Sequence, residues 1–252
     1  LNRWDGDWRW LRGRDDSPWY PTLRQFRQAA PGAWEAPLAA LCAALADLAA
    51  PNPGVLYNQA HAAAAAGRRD TAISLYRRVV AQAPALAEAH NNLANLLLAA
   101  HRHEEALAAY DAALTARPGY VEALANRGMA LKAMDRLDEA EVALRQAVAL
   151  RPDLAGAHNA LGNTLAGQGR LAEALASLTR AAELAPGDAM IAVNTGLVLA
   201  RLHRPAEAIA SHRRAIALQP DLPDAHLALA EALLQDGQWR EGWREYEWRW
   251  HS

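Results

Sequence analysis

Pro84, Pro118, Pro152, Pro186 and Pro220 follow one another at a constant step of 34 residues. A step of this length marks a helical repeat array built from helix–turn–helix units. It constrains the chain more than any other feature, because every unit must have one shape and stack on its neighbours. With the proline at position 32 of each unit, repeats start at Pro53, Ala87, Val121, Ala155, Ala189 and Pro223.

Other positions keep the same register. Position 20 reads Ala72, Ala106, Ala140, Ala174, Ala208 and Gly242, and position 8 reads Ala60, Ala94, Gly128, Gly162, Gly196 and Ala230. Position 27 is Val79, Ala113, Ala147, Ala181, Ala215 and Arg249. Small residues recur where two helices must approach closely. Larger ones recur between them, at position 24: Tyr76, Tyr110, Leu144, Leu178, His212 and Tyr246. This pattern resembles the tetratricopeptide repeat family, with five full repeats and a sixth that ends with the chain. The resemblance implies an all-α fold, a right-handed superhelical solenoid over residues 53–252, led by a short irregular segment rich in aromatics.

Within one repeat, helix A is expected at positions 2 to 14 and helix B at 17 to 30. In the second repeat Leu93, Leu96 and Leu97 have helical spacing on helix A, Glu88 to Ala100. Helix B, His103 to Ala116, places Ala106, Leu107, Tyr110 and Leu114 on one face. The turn between them needs a residue that accepts left-handed backbone. Gly67, Gly169 and Gly237 supply it, and His101, Asp135 and His203 stand in elsewhere. Proline at position 32 then ends helix B, because it cannot donate the next helical hydrogen bond.

Composition narrows the function classes. The formal net charge is −2, with signs interspersed, so there is no basic footprint for nucleic acid. No apolar run is long enough to span a bilayer. The start, Leu1-Asn2-Arg3-Trp4, lacks the apolar core of a secretory signal, and a Leu start suggests a segment of a longer protein. One cysteine, Cys42, allows no internal disulfide and fits a reducing compartment, so a cytoplasmic location is expected. Lys132 is the single lysine among 26 basic residues, which with abundant alanine suggests a GC-rich bacterial genome.

Residues 1–34 stand outside the repeat. Trp4, Trp8, Trp10, Trp19, Tyr20, Phe26 and Trp34 fall there, punctuated by Pro18, Pro21 and Pro31. Thr22 to Gln28 is a candidate short strand. Glu35 to Ala49 is a better helix, with Leu38, Leu41, Cys42, Leu45 and Leu48 on one face, expected to pack against the first repeat. All nine tryptophans lie within residues 1–34 or 239–250.

Both ends carry a second resemblance. Asn2-Arg3-Trp4-Asp5, Trp8-Arg9-Trp10-Leu11, Asp16-Ser17-Pro18-Trp19-Tyr20-Pro21 and Leu23-Arg24-Gln25-Phe26-Arg27-Gln28 resemble the C-terminal tail of bacterial tetratricopeptide glycosyltransferases. Those enzymes are similar to O-linked N-acetylglucosamine transferases and to the heptosyltransferase-like group. The run from Gly237 to Trp250 resembles the last repeat helix before such a catalytic domain. The resemblance implies that residues 1–50 close a preceding transferase domain and that the array of 53–252 leads to the next. The Rossmann-like catalytic halves are not in this sequence. Asp15, Asp16 and Ser17 are the tail residues that could reach a donor sugar, or else a solvated turn before Pro18.

Candidate binding residues lie on helix A. Position 6 reads Asn58, Asn92, Asn126, Ala160, Asn194 and Ala228; Asn95 and Asn163 add position 9, and Asn91 and Asn159 position 5. The row resembles the asparagine ladder of the O-linked N-acetylglucosamine transferases, which implies a groove for extended peptide. A primary amide both donates and accepts, so a row of them can hold a peptide by its backbone. The alternative is an asparagine that only satisfies neighbouring backbone or water. Asparagine is a mediocre helix former, so its repeated use favours binding. Position 5 has no lysine or arginine, against a basic clamp for a C-terminal carboxylate. His90, His158 and His226 recur at position 4 as packed helix residues, and His101 with His103 make a poor zinc site. No phosphate loop, catalytic triad or paired-cysteine motif occurs, so neither cofactor nor metal is expected.

At the far end Trp239, Trp243, Tyr246 and Trp250 form one helical stripe, expected to pack on Leu229 and Leu233 of the same repeat. Trp248 is expected on the open face, and Arg249 at position 27 blocks a closely stacked seventh repeat. Trp248 and Arg249 are therefore the candidate docking residues for an adjacent catalytic domain. The leading reading is a protein-interaction module for peptide or protein acceptors; membership of an active transferase and a purely structural scaffold are the alternatives.

Overall fold

The computed structural model describes residues 33–49 and 52–250, without the side chains of 43–49. Among these residues every regular element is a helix. The chain divides into two units, residues 1–55 and 56–252. In the first, α1 spans Glu35–Ala49. Its Leu38 is exposed and Leu41 half-buried. The Leu45 side chain, the Thr22 to Gln28 stretch and Asp15, Asp16 and Ser17 all lie outside what is described.

The array that follows is six helix pairs. They are α2 (Pro53–Ala65) with α3 (Arg69–Gln82), α4 (Ala87–Ala99) with α5 (His103–Ala116), and α6 (Val121–Ala133) with α7 (Leu137–Leu150). Then come α8 (Ala155–Gly167) with α9 (Leu171–Leu184), α10 (Ala189–Arg201) with α11 (Pro205–Leu218), and α12 (Pro223–Gln235) with α13 (Trp239–Tyr246). A 3₁₀ turn, Glu247–Trp250, follows α13.

Each A helix ends the same way. The residue at position 15 takes left-handed backbone: φ is 71° at Gly67, 58° at His101 and Asp135, 79° at Gly169, 56° at His203 and 80° at Gly237. Its N–H and the next one turn back onto the helix. In the second repeat His101 donates to the Leu98 carbonyl and Arg102 to the Leu97 carbonyl, both at 2.9 Å. This pair of hydrogen bonds satisfies carbonyls that a helix end would otherwise leave bare. The six residues chosen from sequence for these turns are the six that adopt them.

Packing follows the size code. The alanines at position 20, Ala72, Ala106, Ala140, Ala174 and Ala208, are completely buried. Position 8 faces the large residue at position 24. A Cβ placed on Gly128 would lie 2.5 Å from Leu144 Cγ, so only glycine fits there. Tyr76, Tyr110, Leu144, Leu178 and His212 are all buried at position 24. Burying each leucine contributes roughly 1.5–3 kcal/mol. Successive A helices also touch one another, α4 with α6, α6 with α8, α8 with α10 and α10 with α12. Successive B helices show no comparable pairing among the described residues. The array is therefore tighter on its A side, and the A helices line the inner wall.

The histidines at position 4 have a role that spacing did not reveal. His90 and His158 donate from Nε2 to the carbonyls of Pro84 and Pro152, each at 3.0 Å, and His226 to that of Pro220 at 2.8 Å. Each closes the turn between two repeats, on a carbonyl that the following helix cannot reach.

The last repeat corrects two expectations. Trp239, Trp243 and Trp250 are not packed on Leu229 and Leu233; they are 62%, 54% and 72% exposed. Leu229 and Leu233 are instead buried with Leu199 and Ile209 of the fifth repeat. The reason is the close approach at Gly242, where an added Cβ would lie 2.8 Å from Leu234 Cγ. That contact turns position 20 toward the partner helix, and position 21, Trp243, toward the place a following repeat would occupy. Trp248, expected on the open face, is half-buried and stacks on His226 with ring centroids 3.9 Å apart and planes 7° from parallel. The chain tightens from α-helix to 3₁₀ turn after Tyr246, which brings Trp248 back over α12.

Candidate functional site

The inner wall carries the asparagines, and they are bonded in a pattern. Asn126 Nδ2 donates to Asn91 Oδ1 at 3.1 Å, joining α6 to α4. Asn194 Nδ2 donates to Asn159 Oδ1 at 2.9 Å, joining α10 to α8 in the same way. Each pair links position 5 of an even repeat to position 6 of the next. Asn91 is buried, whereas Asn126, Asn159 and Asn194 are half-exposed. One amide hydrogen and the carbonyl of Asn126 and of Asn194 are left over for a ligand.

Nearer the start of the array, tyrosines hold the amides. Asn92 Nδ2 donates to the hydroxyls of Tyr57 at 2.9 Å and Tyr76 at 3.3 Å, which leaves its carbonyl to accept. Tyr110 donates its hydroxyl to Asn95 Oδ1, which leaves that amide's two hydrogens to donate. Burial pushes both the Tyr76 and Tyr110 phenols up, so they stay neutral hydroxyls. Asn58 and Asn95 are exposed and Asn163 is half-buried.

The pairing brings Asn91 to Asn126 and Asn159 to Asn194, but Asn58 and Asn163 join neither pair. Two features escaped sequence reasoning. The first is that the amides pair across 35 residues and that the motif returns after two repeats. The second is the apolar exposure along the same wall. Met129 and Leu197 at position 9 and Met190 at position 2 are 45%, 42% and 41% exposed. Reading position 9 in full, His61, Asn95, Met129, Asn163, Leu197 and Glu231, would have shown the alternation.

Among the described residues no cluster of three or more histidine, cysteine or acidic side chains could hold a metal ion. No helix there is long and apolar enough to cross a membrane.

A family model described as "Tetratricopeptide repeat" matches residues 57–121 and 126–189, more than half of the chain, and a model described as "TPR repeat" matches 206–237. The chain belongs to the tetratricopeptide repeat family. Solved structures of similar fold include PilW, a type IV pilus biogenesis factor, with a TM-score of 0.72 at 17% identity over 77% of this chain and 90% of that one. A thermophilic tetratricopeptide protein of Thermus thermophilus, TTC0263, has a TM-score of 0.60 at 25% identity, covering 73% of this chain and 100% of its own. YrrB, described as having an unusual peptide-binding site, has a TM-score of 0.58 at 24% identity, covering 69% and 90%. No curated protein matches the sequence.

Proposed function

We propose that this tetratricopeptide array is a protein-interaction module that holds an extended peptide along its inner wall. The observation that carries the reading is the pair of inter-helix amide bonds, Asn126 to Asn91 and Asn194 to Asn159. Each fixes a half-exposed carboxamide in one orientation, with a donor and an acceptor left for a peptide backbone. Preorganised groups lose little freedom on binding, so they contribute more net affinity than mobile ones. The same fold in YrrB carries a peptide-binding site, which fits the reading. Asn58, Asn92, Asn95 and Asn163 extend the same row.

A finer reading attaches this groove to a bacterial glycosyltransferase, to which it would present acceptor protein. Its support is the run of motifs in residues 1–28 and 237–250. A cytoplasmic location belongs to the same reading and is supported by the lone cysteine.

The test begins by selecting binders from a library of short unstructured peptides. The best binder is then titrated against the chain and against the double variant Asn126→Ala/Asn194→Ala. Affinity is expected to fall at least about tenfold, the loss of roughly one charge-free hydrogen bond per amide. The melting midpoint should fall modestly, because the variant leaves the buried Asn91 carbonyl without its donor, so the titration is run well below it. Equal affinity for the two proteins would sink the peptide groove.

A further inference from the structure

We propose, building on the peptide-groove reading, that the segment held there is acidic and carries two apolar side chains about six residues apart, with carboxylates between them. The place is built by α6, α8 and α10, in the middle of the array. At position 9, on the exposed stripe of each A helix, they carry Met129, Asn163 and Leu197. Met129 and Leu197 are 45% and 42% exposed, one A helix to either side of Asn163. Position 9 is Asn95 in the second repeat and Glu231 in the sixth, so this apolar pair is bounded on both sides by polar residues.

The same three helices also place two cations. Asn126 and Asn194 at position 6 reach back to Asn91 and Asn159 at position 5 of the preceding A helix. Position 5 therefore lies on the side of each A helix that faces the next one, and position 6 on the side that faces the one before. Positions 12 and 13 come seven residues later, two turns along the same two sides. Arg201, at position 13 of α10, obeys this register: it donates to the Ala166 carbonyl of α8 at 2.7 Å. Lys132, at position 12 of α6, is exposed on the side that faces α8. The two cations thus flank the last turn of α8, where the chain offers only Ala166 and Gly167.

Neither cation joins an ion pair among the described residues, and Asp135, three residues past Lys132, makes none with it. The acid on the same stripes, Glu122 at position 2, is already held by Arg151 at 2.8 Å. The wall from Met129 to Leu197 therefore keeps uncompensated positive charge and fits an acidic ligand.

The spacing sets the register of that ligand. Helices in contact, as α6 with α8 and α8 with α10, lie about 8–10 Å apart, so α6 and α10 are separated by about 16–20 Å. An extended chain advances about 3.3 Å per residue, so this distance takes about five or six residues. Side chains return to one face at every second residue, which selects the even value. Apolar residues at i and i+6 then lie over Met129 and Leu197. Residues i+2 and i+4 face the same wall on either side of α8, where carboxylates meet Lys132 and Arg201. Because the chain continues past both, these carboxylates are side chains and not a chain end.

Fluorescence anisotropy with a labelled, end-blocked peptide, Leu-Ser-Glu-Ser-Glu-Ser-Leu, reads the recognition directly. Binding is expected, and it should weaken as salt is raised. Exchanging both glutamates for glutamine, or permuting the peptide to Ser-Leu-Glu-Ser-Glu-Leu-Ser, should each lower affinity at least about tenfold. Lys132→Glu, at an exposed site, should cost the glutamate peptide about as much and leave the glutamine peptide unaffected. Met129→Ser with Leu197→Ser should bring the first peptide level with its permuted form. Binding that ignores both the glutamine exchange and Lys132→Glu overturns the proposal. So do library peptides that depend on Asn126 and Asn194 but show neither the spacing nor the acids, an outcome that leaves the peptide groove standing. If no peptide binds at all, both readings fall.

Discussion

The third and fifth repeats meet their successors through different chemistry at one position. In the fifth, position 21 is Ile209, 4% exposed and packed among Leu199, Leu229 and Leu233. In the third it is Glu141, whose side chain is 15% exposed. Glu141 accepts hydrogen bonds from Arg170 at 2.7 Å and Gln168 at 3.0 Å, both in the turn of the fourth repeat, and from Arg145 at 2.8 Å on its own helix. Burial pushes this carboxyl up, but the hydrogen bonds from Arg145, Arg170 and Gln168 outweigh it and hold it at about 2. The backbone geometry is common to both junctions, so the solenoid does not dictate the chemistry of the contact. The apolar junction is non-directional and indifferent to pH. The ionic one requires named partners at fixed places, and it fails when one is missing.

The sharpest way to break this comparison is to graft one junction onto the other. Ile209→Glu places a carboxylate where the neighbouring turn offers Gln238, at the position of Arg170, and Asp236 at that of Gln168. Arg213 stands at the position of Arg145 and can still reach it, so the carboxylate is short of one of its two cations, a loss that costs about 3 kcal/mol. Chemical denaturation should show a loss of that size. Adding Gln238→Arg should recover part of it, because the missing guanidinium is then supplied. A double variant no more stable than Ile209→Glu would mean that the ionic junction depends on more than the residues named.

The fifth repeat has its own acid sensitivity. His212 is 1% exposed, and its Nδ1 has no hydrogen-bond partner. Burial lowers its imidazole from 6.5 to about 4. The folded chain therefore keeps His212 neutral, while the unfolded chain takes up a proton once the pH falls below 6.5. Stability should be level above that pH and decline down to about 4, by roughly 3 kcal/mol. His212→Leu gives this site the residue that Leu144 and Leu178 supply at the same position, also opposite glycine. That variant should lose the decline between these two pH values. Glu141 acts in a lower window, from 4.5 toward 2, because its folded carboxyl is depressed and its contribution is present only while it is ionised. Persistence of the whole decline in His212→Leu would move the acid sensitivity elsewhere.

Much of this was legible in sequence because it is local. The proline step ends one helix at a time, and the residues at position 15, from Gly67 to Gly237, answer a backbone requirement within a single turn. What crossed between repeats was harder to read. The stripe of Trp239 and Trp243 is apolar whichever neighbour it meets, and helical spacing alone does not tell a repeat's own A helix from the next one. Gly242 held the missing clue, since position 20 is the face that touches the helix within the pair. The asparagines were found by register, but their pairing across 35 residues depends on how adjacent A helices lie. Glu141 was visible as the one charge in the series Ile73, Leu107, Glu141, Leu175 and Ile209. Arg170, Gln168 and Arg145, which make it tolerable, come from two repeats and could be named only once the helices were stacked.

The smallest effect separates two arginines that look alike. Position 16 is Arg102, Arg136, Arg170 and Arg204 in four successive repeats, and each grips the glutamate three residues on: Glu105, Glu139, Glu173 and Glu207. Arg204 binds Glu207 alone, with both side chains well exposed at 44% and 56%. Exposed pairs of this kind give little net stability, because water and salt screen them and two long side chains must be held still. Arg204→Ala should leave the melting midpoint within the scatter of replicate runs. Arg170 adds the bond to Glu141, and its removal strips a largely covered carboxylate of its cation from the next repeat. Arg170→Ala should therefore lower the midpoint resolvably, and the deficit should shrink when Glu141→Leu is introduced beside it. Equal midpoints for the Arg170 and Arg204 variants would mean that Glu141 is no more demanding than a surface residue, and the contrast between the two junctions would then rest on packing alone.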